Sequence, residues 1–189
     1  MQKFIGLIVL LMISSCASQP PTSQDGQLTK KEQKAQKKAQ KATQEKALNE
    51  QAKLALQKQW FVLETHTLTN NKGRPVNVST NTNFIAVKGE TAVIQIAFPG
   101  GVMGPNNIGG ITVDGNISNV DLKENDNGRV YMTFSVLGAG VNAQVRINLD
   151  GSNYANGRVS SQTRGGYIEF RGIVVPYEKS RIYQAPSRF

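Results

Sequence analysis

The sequence predicts an all-β domain preceded by one long Lys-rich α-helix. The domain reads as an antiparallel meander barrel or sandwich of about 8–10 strands. Three observations carry this. Residues 29–59 are rich in Lys, Gln, Ala, Glu and Leu and contain no Gly or Pro, a composition that favours helix. From Trp60 onward the pattern changes from period 3.6 to period 2. From there, turn signals recur about every 8–12 residues, the spacing of a sandwich or barrel.

The chain opens with Lys3, an apolar run from Phe4 to Ile13, and Ile13-Ser14-Ser15-Cys16. This is the layout of a bacterial lipoprotein signal peptide, and the last four residues resemble a lipobox. Residues 1–15 are expected to be cleaved off, leaving Cys16 as the acylated (palmitate-bearing) first residue. A membrane span needs about 20 apolar residues, and Gln19, Pro20 and Pro21 interrupt this run too early. A plain secretory peptide would leave the only cysteine of the chain without a role. Two or more acyl chains give stable anchoring, each buried CH₂ contributing about 0.8 kcal/mol. The expected location is the bacterial cell envelope, lipid-anchored to the outer membrane and facing the periplasm. The residues after Cys16 carry no acidic cluster of the kind that marks surface export in some bacteria. With one cysteine there is no intramolecular disulfide, and its acylation removes it from any zinc site.

Residues 16–28 hold the lipidated cysteine and a small, polar, Pro-containing tether. The helix follows over 29–59, with Thr29 and Glu32 at capping-box spacing. It concentrates the positive charge of the protein. The chain carries a formal +9, and residues 30–59 hold nine Lys against three Glu. The first half has only Ala as an apolar residue and buries little. Toward the end, Leu48, Ala52 and Ala55, with Leu56 beside them, form a stripe able to dock on the next domain.

The β domain spans 60–189. Phe61, Leu63 and Thr65 alternate with Val62, Glu64 and His66, and Asn70-Asn71-Lys72-Gly73 turns the chain. Short strands are expected at 75–80, 83–88 and 91–98. Asp114-Gly115 reads as a link between strands 110–113 and 116–123. Asn127-Gly128 is a type I′ hairpin signal, since both residues tolerate φ > 0. Val130, Met132, Phe134 and Val136 share a face, as do Val141, Ala143, Val145, Ile147 and Leu149 beyond the 138–140 turn. Residues 157–164 are polar enough for an edge strand. Gly165-Gly166 turns into 167–175, and the basic tail 176–189, with Tyr177 and Tyr183, is expected to pack along the outside.

Trp60-Phe61-Val62-Leu63 after a charged helix, Asn81 to Val87, the Lys88-Gly89-Glu90 turn, the apolar strand ending at Phe98-Pro99, and the Gly-rich segment leading to Gly110-Ile111-Thr112 occur in that order. As a set they resemble the DUF4251 domain of Bacteroidetes envelope lipoproteins, over roughly residues 50–189. The resemblance implies a lipid-anchored β domain with no assigned activity, and it transfers no catalytic residues.

The first candidate site is the 99–110 segment, with Pro99, Gly100, Gly101, Met103, Gly104, Asn106, Asn107, Gly109 and Gly110. Long loops in compact domains often bind ligands, and exposed glycine N–H groups suit that. The competing reading is a structural loop whose glycines meet backbone needs. No Gly-Lys-Ser/Thr follows, so it is not a P-loop. The second candidate is anionic contact through Lys34, Lys37, Lys38 and Lys41, against a plain solvated stalk. Nucleic acid is not expected in this compartment. The third is an Arg158, Arg164 and Arg171 strip that meets an acidic glycan or phosphate, against simple edge protection.

Catalysis has little to stand on. His66 is the only histidine, and no G-x-S-x-G elbow occurs. Asp114, Asp121, Glu124, Asp126 and Asp150 sit mostly at turns, where acids have conformational roles. No metal site, cofactor or catalytic residue is expected. The functional expectation is a non-enzymatic binding or scaffolding lipoprotein. Its ligand would be an envelope protein, a glycan or a small apolar molecule. The alternatives are a structural spacer or subunit of an envelope complex, and, third, a hydrolase-type enzyme.

Overall fold

The computed structural model describes residues 29–97, 110–138, 141–162 and 165–184. Cys16, its lipobox and the tether lie outside these. The elements are α1 (Lys30–Gln57), β1 (Trp60–Asn70), β2 (Pro75–Asn77), β3 (Phe84–Lys88), β4 (Thr91–Ala97), β5 (Gly110–Glu124), β6 (Val130–Gly138), β7 (Val141–Leu149), β8 (Tyr154–Ser161), β9 (Tyr167–Pro176) and a 3-10 turn (Tyr177–Lys179). Two compact units divide within α1, at Lys37/Lys38.

In the first unit the capping box forms as predicted. The Thr29 N–H and hydroxyl both donate to Glu32 Oε2 at 2.8 Å. The Glu32 N–H donates back to Thr29 Oγ1 at 3.3 Å. Those hydrogen bonds from Thr29 hold the Glu32 carboxyl below its ordinary range.

In the second unit the sheet closes on itself. The strand order runs β1-β3-β4-β5-β6-β7-β8-β9, and β9 pairs back onto β1. The domain is therefore an eight-stranded antiparallel barrel. β2 is a short spur that pairs with β1 only over Thr67–Thr69. Closure depends on β1 serving two neighbours. Its first five residues pair with β3, and Phe61–Asn70 pair with β9, with a register shift between Thr65 and Thr67. His66 sits at that bulge.

Inward positions are filled. Phe61, Leu63, Ile85, Met132, Phe134, Val145, Ile147 and Phe170 are each no more than 1% exposed and form one cluster. A small eight-stranded barrel is just wide enough for side chains to fill it. The last turns of α1 join this cluster through Ala52, Ala55 and Leu56. The stripe is rotated from the expected one: Leu48 is exposed and Asn49 is buried instead. Gln59 then ends the helix with φ 53, and its carbonyl accepts from the Gly89 N–H at 2.8 Å. This left-handed residue turns the chain straight into β1.

One lysine fixes the helix end electrostatically. Lys53 Nζ lies 2.6 Å from Glu124 Oε1 and 3.3 Å from Glu50 Oε1, with its side chain only 12% exposed. The Glu124 hydrogen bond, the largest cause, raises the Lys53 pKa. A pKa raised on folding adds stability that is whole below the ordinary lysine value and is lost as pH climbs through the folded one. We expect Lys53→Gln to cost about 1 kcal/mol, because Glu124 still meets solvent. In urea titrations the gap to wild type should hold across neutral pH and close only above the lysine range of about 10.4.

Three strand expectations are corrected. Residues 110–113 and 116–123 are one strand, since β5 runs unbroken through Asp114-Gly115. Gly115 is there for close approach: a Cβ on it would stand 2.3 Å from the Leu137 carbonyl oxygen. At Asn127-Gly128 only Gly128 has positive φ, so the turn is not type I′. The Gly128 N–H donates to the Asn125 carbonyl at 2.9 Å, and Asn125 Oδ1 accepts from the Arg129 N–H at 2.9 Å. β8 is not an edge, because β7 and β9 flank it. Its polarity is that of a wall with one wet face.

The tail packs outside, as expected, over the described residues to Gln184. Tyr177 and Ile182 cover a second apolar cluster of Val62, Phe84 and Ala86. The Gln95 amide donates to the Tyr183 carbonyl at 2.7 Å, and Ser180 Oγ donates to Glu64 Oε1 at 2.6 Å.

Candidate binding groove on the barrel wall

Alternation along β7, β8 and β9 sends every second side chain outward. Register then places the outward residues side by side. Arg146 stands opposite Arg158, and Asn148 opposite Asn156. Across the next seam Arg158 meets Glu169 and Asn156 meets Arg171. These six side chains line a groove of about 460 Å³, to which Gly157 contributes main chain alone. That volume lies within the roughly 300–1,000 Å³ of small-molecule sites.

The charges are unevenly paired. Arg158 Nη2 lies 2.6 Å from Glu169 Oε1. Its guanidinium also lies 4.2 Å from the Tyr167 ring centroid. The Glu169 hydrogen bond raises the Arg158 pKa further. Arg171 reaches Glu169 Oε2 only at 3.9 Å, beyond hydrogen-bond length. Arg146 donates to Gln144 Oε1 at 3.1 Å and, among the described residues, has no carboxylate within ion-pair distance. The arrangement is a charge-bearing surface with two incompletely paired guanidinium forks.

The other candidates fall elsewhere. Pro99, Gly100, Gly101, Met103, Gly104, Asn106, Asn107 and Gly109 lie outside the described residues, as does Arg164. Gly110 opens β5 opposite Ala97, where a Cβ would collide with the Ile96 carbonyl oxygen. Lys34, Lys37, Lys38 and Lys41 are all exposed on α1, with Lys41 3.8 Å from Glu45. His66 is exposed, its Nδ1 2.9 Å from Thr67 Oγ1 and its ring edge-on to Tyr154. The turn acids are dispersed: Asp121 pairs with Lys123, Glu124 with Lys53, and Asp150 accepts from Ser152. No group of three metal-ligating side chains occurs among the described residues.

Sequence reasoning named Arg158 and Arg171 but missed Arg146. The β7–β8 turn through Gly151, which has φ 92, sets the register that brings Arg146 to Arg158. Centring the hairpin on that glycine-containing turn is the signal that finds it.

Fold and groove together define a small antiparallel barrel with a helix end in its core and an arginine-bearing wall. A family profile described as "Domain of unknown function (DUF4251)" matches residues 27–174, and the chain belongs to that family. The match starts before the resemblance read from the sequence and takes in α1. The crystal structure of a DUF4251 family protein from Bacteroides eggerthii is similar at TM-score 0.65 and 31% identity, covering 77% of this chain and 98% of that one. No curated protein matches the chain.

Proposed function

We propose that this protein is a lipid-anchored envelope module that binds without catalysis, using the outer wall of its barrel. One observation carries the reading. The inward positions are occupied by apolar side chains and the helix end, whereas a concave polar surface lies outside. This favours wall contact over an apolar ligand held in the lumen. The pattern Ile13-Ser14-Ser15-Cys16 supports anchoring, and the periplasmic side of the outer membrane is its proposed place. Dispersed acids and a lone exposed histidine support a non-catalytic role.

Two measurements test this. Cys16→Ala should move the protein from the membrane to the soluble fraction; unchanged fractionation would refute the anchor. A photocrosslinker placed at Asn156 should trap a defined adduct in intact cells. One placed at Ser135 should not. Equal or absent labelling from both positions would remove the wall as the binding surface and favour the spacer reading.

A further inference from the structure

We propose that the groove over β7, β8 and β9 binds a carboxylate-bearing sugar, a uronate unit of an acidic glycan. This rests on the wall-binding reading above and names its ligand. The first argument is a cost. Like charges directly opposite across strands are destabilising, yet Arg146 and Arg158 are direct partners. On a wet face many neutral pairs would serve the fold better. Glu169 offsets the charge of Arg158, and an anion held by Arg146 removes the conflict that remains.

The second argument is division of labour. Glu169 and the Tyr167 ring fix Arg158 in place. Arg146 and Arg171 flank it and keep donors free. Arginine forks match carboxylate geometry in a bidentate way. Arg146 and Arg171 are therefore the ligand-binding arginines, and Glu169 is a positioning residue.

The third argument selects a sugar. Asn148 and Asn156 face each other in the same groove. Each amide both donates and accepts, which suits vicinal hydroxyls. Among the described residues the positive charge is also bounded on both sides. Arg146 has Thr133 on its β6 side, and Arg171 has Thr67 on its β1 side. With Glu169 inside the groove, three arginines face one carboxylate. Among the described residues a long polyanion finds no continuing track across β6 or β1, and a dianionic phosphate meets the Glu169 carboxylate at close range. A single uronate unit, with one carboxylate and neutral hydroxyls, fits both the charge and the amides, and a short oligouronate can present one such unit to the groove.

The test is calorimetric titration of the detergent-solubilised full chain with trigalacturonate, its methyl ester and inorganic phosphate. Trigalacturonate should bind, and the ester, in which a neutral methyl ester replaces each carboxylate, should bind at least about tenfold more weakly. Phosphate should not compete. Arg146→Gln and Arg171→Gln should each weaken binding about tenfold, with no fall in melting temperature. Arg171→Lys keeps the charge but loses the fork and should not restore affinity. The proposal is overturned by no trigalacturonate binding, by ester or phosphate binding equally well, or by variants that bind like wild type. Such a result leaves the anchored module intact, since that stands on Cys16→Ala and on the Asn156 crosslink.

Discussion

Gly172→Ala should destabilise the barrel by about 3 kcal/mol or more. A Cβ on Gly172 would stand 1.8 Å from the Glu64 carbonyl oxygen and 2.7 Å from its carbon. Both are main-chain atoms of the facing strand, so no rotamer change relieves the clash. The backbones of β1 and β9 must part, and these two strands form the seam that closes the barrel. The seam is already irregular there, because Gly172 pairs with Thr65 at the edge of the bulge. Other glycines separate the causes. Gly73 has φ 72 and open space around it, so Gly73→Ala carries only left-handed strain of about 1 kcal/mol. Gly157→Ala meets side-chain ends of Leu63 and Ile85 at 2.8 and 3.2 Å, which can shift, and should fall between the two. Denaturant midpoints at constant slope give the order. A Gly172→Ala protein as stable as wild type would mean that β9 does not close on β1 as described.

What could be read from the sequence follows from which forces are local. Capping at Thr29 and Glu32 and alternation along β6 and β7 depend on neighbours within a few residues, and the structure has them as predicted. Barrel and sandwich alternate identically along each strand. They differ only in whether the first and last strands meet, a contact between residues about a hundred positions apart. The bulge at His66 on that seam has no local signature in Glu64-Thr65-His66-Thr67. Gly115 misled because a glycine between strand-like runs looks like a turn. Its actual reason is a carbonyl on β6. The groove was half visible for the same cause. Arg158 and Arg171 stand out as basic residues in a polar stretch, but Arg146 joins them only through hairpin register.

Leu56→Ala should cost about 3 kcal/mol, within the range for emptying a fully buried leucine site. Leu56 is 0% exposed and shares the barrel core with Phe61 and Met132, whereas Leu54, two residues earlier, is 52% exposed. Leu54→Ala should therefore be nearly neutral, although the two substitutions have the same effect on helix propensity. The contrast separates a helix that completes the core from one that merely follows it in sequence. Trp60 gives a direct readout. It is the only tryptophan of the chain and opens β1 immediately beyond the helix stop at Gln59. Its ring lies edge-on to Tyr177 at 6.1 Å, with Lys88 Nζ 5.4 Å from its centroid. If α1 residues near Leu56 are part of the core, Trp60 fluorescence and far-UV circular dichroism should report one shared transition, moved to lower denaturant by Leu56→Ala. Barrel unfolding that leaves the Leu56→Ala midpoint at the wild-type value would show that the barrel core is complete without the helix. The lysine-rich segment would then be a spacer in its full length. A shared and shifted transition means that the last turns of α1 belong to the folding unit, and that only the segment before Asn49 is free to serve the anchor.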